Sequence, residues 1–239
     1  MRYDVIGDVH GCIDELNELL EKLGYIDGRH PDGRKLVFVG DLVDRGPDSA
    51  EVLSKVMALA ARDLAVVVSG NHDNKLMRYL KGNKVRVSPR LQSTIDQIES
   101  HDGEFKADVL HFLASLPIKF EDDGLLIVHG AARFGAGRKE EEALALYGEV
   151  IGRGEHGIPL RGDKWAHEYS GPHRVVVRGH QVVPAVSMIT SATGAHVYNI
   201  DTGCVFGGQL SALRYPEEEV VQVAAKQKYC DLNNYLDCI

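Results

Sequence analysis

The apolar positions change period along the chain. Tyr3–Ile6 is a short apolar run that stops at a Gly-Asp turn, and Ile13, Leu16, Leu19, Leu20 and Leu23 then recur at helical spacing. Lys35–Val39 returns to the β-branched and aromatic composition of a strand. Asp48 stands where a helix cap belongs, with Glu51 three positions on, and Val52, Leu53, Val56, Met57 and Ala60 form one apolar face behind it. Ala65–Ser69 is a third strand. Strand, helix, strand, helix, strand at this spacing predicts parallel βαβ units.

The remainder is less regular. Residues 75–120 are more polar and mostly helical in pattern, which predicts helical elaboration on an α/β core. Leu125–Val128 reads as a fourth strand, and the Gly- and charge-rich stretch 130–170 predicts loops and a short helix. Strand candidates Arg174–Arg178, Val197–Ile200, Leu210–Arg214 and Val220–Val223 follow with little helix between them, so the C-terminal half is expected to be more antiparallel. The tail from Lys226 lacks periodicity and is expected to be loosely held. There is no internal repeat and no Pro-, Gly- or Ser-rich linker, so the 239 residues are expected to form one domain.

Composition narrows the partners. The net charge of -8 argues against a basic face for long duplex nucleic acid, yet it allows a small anion held by a few arginines and metal ions. No apolar run approaches the roughly 18 residues of a membrane span. Cys12, Cys204, Cys230 and Cys238 form no Cys-x-x-Cys pair and follow no secretory signal, so a cytoplasmic protein with reduced thiols is expected. Cys12 and Cys204 flank the motifs described next and read as buried small residues.

The residues that carry chemistry sit where strands end. The first strand runs into Gly7-Asp8-Val9-His10-Gly11, the second into Gly40-Asp41-Leu42-Val43-Asp44-Arg45-Gly46, and the third into Gly70-Asn71-His72-Asp73. The fourth ends in His129-Gly130 and a later one in Gly179-His180. Ligands of open α/β sheets bind beyond the carboxyl ends of the strands. Carboxylate, amide oxygen and imidazole together suit borderline divalent ions, whereas a structural zinc site would usually bring thiolates. A lone Asp-x-His is common and means little, and a lone His129, His180, Arg45 or Asn71 would read as an ordinary core, salt-bridge or turn residue. Their occurrence in order, each after a predicted strand, is what singles them out.

Taken together, Asp8-x-His10, Gly40-Asp41-x-x-Asp44-Arg45-Gly46, Gly70-Asn71-His72-Asp73, His129 and Gly179-His180 resemble the motif set of the calcineurin-like metallophosphoesterases over roughly residues 3 to 223. Asn74-Lys75-Leu76, Arg78–Asn83, Trp165-Ala166 and Asn199–Gly208 resemble a narrower branch. That branch holds the bacterial PrpE-type phosphatases, the phosphatase module of bacterial polynucleotide kinase-phosphatases and the diadenosine tetraphosphatases. Two positions depart from it: His129-Gly130-Ala131 stands for the usual His-Ala-Gly, and Arg178 precedes Gly179-His180-Gln181 where an aromatic residue usually precedes Gly-His-Thr. Both departures leave the ligands intact and bear on substrate choice.

The resemblance implies an α/β sandwich of mixed sheets flanked by helices, with a metal site at the strand C-terminal ends. It implies two divalent ions, manganese first, with iron, zinc or nickel as the other candidates. Asp8, His10 and Asp41 would hold one ion; Asp41 would bridge to the second, completed by Asn71, His129 and His180. A hydroxide shared by the ions would attack phosphorus directly. Arg45 would grip the phosphoryl oxygens, and His72, held and favoured in its protonated form by Asp44, would protonate the leaving group. Asn71, His72, Lys75, Arg178 and Asp201 are candidate substrate contacts, with Asp201 also a candidate for orienting a ligand histidine. The expected substrate is a dinucleoside polyphosphate, another small phosphate ester or a phosphoprotein. An RNA-end phosphatase or phosphodiesterase is the alternative, and a non-catalytic metal-binding scaffold is disfavoured by the full ligand set.

Overall fold

The computed structural model describes residues 1–154 and 159–231. Along the chain, β1 (Tyr3–Ile6) leads to α1 (Ile13–Leu23), β2 (Lys35–Phe38) to α2 (Ser49–Ala61), and β3 (Ala65–Val67) to α3 (Asn71–Leu80), α4 (Pro89–Glu99) and α5 (Gly103–Ser115). There follow β4 (Lys119–Asp122), β5 (Leu125–Val128), α6 (Arg138–Tyr147), β6 (Glu149–Arg153), β7 (Pro159–Gly162) and α7 (Lys164–His167). The last elements are β8 (Val175–Arg178), β9 (Ser187–Thr190), β10 (His196–Asn199), β11 (Gln209–Tyr215) and β12 (Glu219–Ala224).

These strands build two five-stranded sheets, β12-β11-β1-β2-β3 and β4-β5-β8-β10-β9, and β6 pairs with β7 apart from them. In the first sheet β1, β2 and β3 are parallel and β11 joins β1 antiparallel. Strand alternation then sorts side chains into layers. Val5 and Val37 share one buried layer with Ile127, Val175 and Val177 of the second sheet. Ile6, Leu36 and Phe38 fall in another, with Leu16 and Leu19 of α1 and Val52, Leu53 and Val56 of α2. Leu126, Val128 and Val176 belong to a third, with Ala145 of α6 and Trp165 of α7. The result is an α/β sandwich of two mixed sheets with helices on the outside, as the resemblance implied. Each such Val, Leu or Ile contributes about 1.5–3 kcal/mol on full burial.

Three expectations change. β4, β6, β7 and β9 were not predicted, because they alternate poorly and are largely exposed or half-buried. The C-terminal half is less antiparallel than expected: β5, β8 and β10 are mutually parallel, and the antiparallel pairs of that sheet lie at its edges. Residues 129–174 carry α6 and α7 and are long enough to return the chain to a parallel neighbour. The tail is tied down as far as Cys230. The Lys226 backbone N–H and the Tyr229 hydroxyl both donate to Glu15 Oε1 of α1 at 2.8 Å, and Cys230 is buried. Residues 232–239, with Cys238, lie outside the described residues. Cys12 and Cys204 are buried, as read. No helix among the described residues is long and apolar enough to cross a membrane.

Candidate active site

The turns after β1, β2 and β8 hold an unusual backbone. His10, Asp41, Asp44, Arg45 and His180 have φ between 45° and 73°, the left-handed region that residues with side chains rarely adopt. Backbone bonds between turns hold them there: His10 N–H donates to Asp41 O at 2.9 Å and Gly11 N–H to Leu42 O at 2.8 Å. Two glycines are required by close approach. A Cβ on Gly179 would stand 1.9 Å from Asp8 Oδ1, and one on Gly70 2.2 Å from Asp41 Oδ1.

The histidines are oriented by the backbone. His10 Nδ1 lies 2.8 Å from Val43 O and His129 Nδ1 3.0 Å from Val39 O. A carbonyl only accepts, so each Nδ1 carries the proton and each Nε2 presents a lone pair. Those lone pairs meet other acceptors. His129 Nε2 is 3.1 Å from Asn71 Oδ1 and 3.4 Å from Asp41 Oδ1, and His10 Nε2 is 3.5 Å from Asp41 Oδ2. His180 Nδ1 stands 2.9 Å from the same Asn71 oxygen, while its Nε2 is buried without a partner.

Ligand atoms of His10, Asp41 and His72 lie within 4.8 Å of one another, and so do those of Asp41, His129 and His180. Asp41 belongs to both groups. Asp8, expected beside His10 and Asp41, is buried there but faces the His180 N–H, at 3.1 Å from Oδ2. Burial, then the charges of Asp201 and Asp41, raise the Asp8 carboxyl well above its ordinary range, and burial pushes Asp41 up to about 7. Burial also holds His10 and His180 well below the usual imidazole value and His129 down at about 4. Neutral imidazoles, crowded carboxylates and opposed lone pairs are the donor set of a divalent cation, which would relieve the repulsion among them.

His72 Nδ1 lies 2.6 Å from Asp44 Oδ2, and Thr94 of α4 donates to the other carboxylate oxygen at 2.7 Å. Burial, followed by the charges of Arg45, His129 and Lys75, holds the His72 imidazole well below its ordinary value. Arg45 donates to His10 Nε2 at 2.7 Å and lies over the Phe206 ring at 5.5 Å. Lys75 is half-buried on α3, near enough to Asp44 and Arg45 to feel their charges.

Two candidates for substrate contact have partners within the chain. Arg178 is buried, paired with Asp163 and set over the Trp165 ring at 5.7 Å. Asp201 is buried, accepts from Gly203 N–H at 3.1 Å, and lies near enough to Asp8 and Asp41 for its charge to raise their carboxyls; the Val39 and Val43 carbonyls orient His129 and His10. Thr94 and Asp73 went unassigned in the sequence. Asp73 accepts from Leu42 N–H and Gly70 N–H, both at 3.0 Å, and so ties two motif turns together. Its place inside the Asn71-His72-Asp73 motif was a signal. Thr94 offered a weaker one, a polar residue on the buried face of α4 that carries Leu91, Ile95 and Ile98.

Comparison with known proteins identifies the family. The model of the calcineurin-like phosphoesterase family matches residues 1–201. The chain is 43% identical to a bis(5'-nucleosyl)-tetraphosphatase PrpE (asymmetrical) of Halalkalibacterium halodurans, with 95% of each chain covered. It is 40% identical to the protein of the same name from Anoxybacillus flavithermus, with 96% of each covered. A crystal structure provisionally described as a diadenosine tetraphosphatase superposes with a TM-score of 0.67 at 26% identity, covering 94% of this chain and 93% of that one. The chain therefore belongs to the calcineurin-like phosphoesterase family and is a metal-dependent phosphoric ester hydrolase.

Proposed function

We propose that the chain hydrolyses dinucleoside polyphosphates, taking up one water and releasing a nucleoside monophosphate and a nucleoside triphosphate from a tetraphosphate. The observation that carries the reading is the membership of Asp41 in both donor groups, one toward His10 and one toward His129 and His180. Asp8, His10 and Asp41 would hold one ion, and Asp41, Asn71, His129 and His180 a second. Nitrogen and oxygen donors without thiolate suit manganese, with iron, zinc or nickel as alternatives. Two divalent ions bound there supply Lewis acidity, which lowers the pKa of water and offsets phosphoryl charge.

The chain's own residues supply the rest. Arg45, whose Nε is buried without a protein partner, binds a phosphoryl oxygen through its planar fork. Burial, and after it the nearby cations, lowers the His72 pKa, and an anion drawn in beside Arg45 offsets the second of these. Asp44, fixed by Thr94, then stabilises the ring as it takes up a proton and passes it from Nε2 to the departing oxygen.

A substrate panel tests this reading. Diadenosine tetraphosphate, a 2′,3′-cyclic nucleotide, an RNA 2′-phosphate and a phosphotyrosine peptide are compared with manganese present and again with chelator. The expected result is the highest kcat/KM on the tetraphosphate, abolished by chelator. A higher value on the RNA or peptide substrates overturns the assignment.

A further inference from the structure

Next to the metal donors lies a cavity of about 460 Å³, lined by Arg45, Pro47, Pro89, Arg90 and Tyr229 among others. That volume falls in the range of small-molecule sites, roughly 300–1,000 Å³, and exceeds what one phosphoryl group needs. Arg45 joins it to the reaction centre through its contact with His10 Nε2 at 2.7 Å. The second guanidinium comes from Arg90 at the start of α4. Arg45 Nε and Arg90 Nε are both buried without a hydrogen-bond partner. Among the described residues, neither guanidinium has a carboxylate within salt-bridge distance. Buried donors ordinarily find an acceptor, so two beside one cavity point to an acceptor that the chain does not provide.

A chain of net charge -8 that places two arginines here without a carboxylate partner makes a local anion site. One arginine suffices for the phosphoryl group at the metals. A second in the lining of the same cavity matches a further phosphate of a polyphosphate chain, because guanidinium and phosphate pair through a planar fork. Tyr229, also in the lining, is anchored by its hydroxyl to Glu15 Oε1 at 2.8 Å. A ring held in this way offers a fixed apolar face to a nucleobase.

We infer that this cavity is the subsite for the substrate beyond the attacked phosphorus, with Arg90 binding an adjacent phosphate and Tyr229 carrying the nucleoside. The inference rests on the polyphosphate reading above. It makes Arg90 the residue that separates polyphosphate substrates from simple phosphomonoesters.

The test compares wild type, Arg90→Ala and Arg90→Lys on diadenosine tetraphosphate and on p-nitrophenyl phosphate. In Arg90→Ala the ratio of the two kcat/KM values should fall about tenfold, mainly through KM, as expected for one lost charge-assisted hydrogen bond. Arg90→Lys should keep part of the preference and guards against misfolding of the alanine variant. Independently, inorganic tripolyphosphate and orthophosphate are compared as inhibitors of p-nitrophenyl phosphate hydrolysis at constant free manganese. The preference for tripolyphosphate should shrink by a similar factor. An unchanged kinetic ratio together with unchanged inhibitor preference overturns the subsite. A wild-type enzyme that hydrolyses p-nitrophenyl phosphate but not the tetraphosphate overturns the substrate reading instead, and the inhibitor comparison then decides Arg90 alone.

Discussion

The Thr94 hydroxyl donates to Asp44 Oδ1 at 2.7 Å, across 50 residues of sequence, while the other oxygen of that carboxylate stands 2.6 Å from His72 Nδ1. All three side chains are buried. Thr94→Val keeps the shape and removes the donor, leaving a buried carboxylate oxygen short of a partner. The expected loss is about 1–3 kcal/mol of stability and roughly 10–100-fold in kcat, the range for residues that orient a working group. Thr94→Ser should recover most of both. Thermal melts and steady-state kinetics, with bound metal counted, check this. A Thr94→Val enzyme of wild-type turnover shows that Asp44 holds His72 without help from α4.

Asp41 belongs to both donor groups, whereas His10 belongs to one. Asp41→Asn should therefore weaken both ions together, and His10→Ala chiefly one. Elemental analysis of purified, folded variants gives the metal count per chain. Two full equivalents retained by Asp41→Asn refute the bridging role.

The parallel half of the first sheet was legible because its strands are short, apolar and bounded by turn residues. Tyr3–Ile6 came out with the bounds read from the sequence, and Lys35–Val39 one residue longer than the strand itself. The site was legible for a related reason. Each candidate ligand lies immediately after a strand, at distances fixed by the turn itself. What was not legible depends on contacts between distant segments. Lys119–Asp122 is a strand only because Leu125–Val128 pairs with it. Thr94 joins the site only because α4 packs beside α2. Arg178 resembles a substrate-binding arginine in sequence, yet Asp163 and Trp165, more than ten positions away, claim it. The Asp44 partner of His72 was visible in the sequence, while the burial around the ring was not.

Away from the site, Arg34 links β1 to the turn between β11 and β12. Its guanidinium donates to Asp4 Oδ1 at 2.9 Å and to Tyr3 O at 2.9 Å, and reaches Glu217 Oε2 at 2.9 Å. The hydrogen bond from Arg34 draws the Glu217 carboxyl down to about 2. A depressed carboxyl stabilises the fold above its unfolded value, near 4.5, and loses that contribution as the pH falls toward 2. Glu217 is partly exposed, so solvent and salt screen the effect. Glu217→Gln should lower Tm slightly at pH 7, and the gap to wild type should close between about pH 4.5 and pH 2. Melts across that range at low and high salt test the sign. A gap that widens on acidification contradicts it.

The last prediction separates proton donation from phosphate binding at His72. The ring is buried, bonded to Asp44, and follows directly on Asn71, which faces His129 and His180. A proton donor matters most when the leaving oxygen is strongly basic. An alkoxide needs the proton, whereas p-nitrophenolate departs readily without it. General acid catalysis contributes about 10²–10⁴-fold where it operates. His72→Asn should therefore cost far more on an alkyl phosphate, such as a ribose monophosphate, than on p-nitrophenyl phosphate. A ring that only bound phosphate would lower both by similar factors. The measurement is kcat/KM over a graded series of aryl and alkyl phosphates for wild type and variant, with metal content confirmed equal. The variant's dependence on leaving-group pKa should be the steeper of the two. The comparison requires chemistry to limit both enzymes, which a solvent-viscosity control establishes. Parallel slopes under that condition remove His72 from the role of general acid and leave Asp44 and Thr94 as supports of a binding residue.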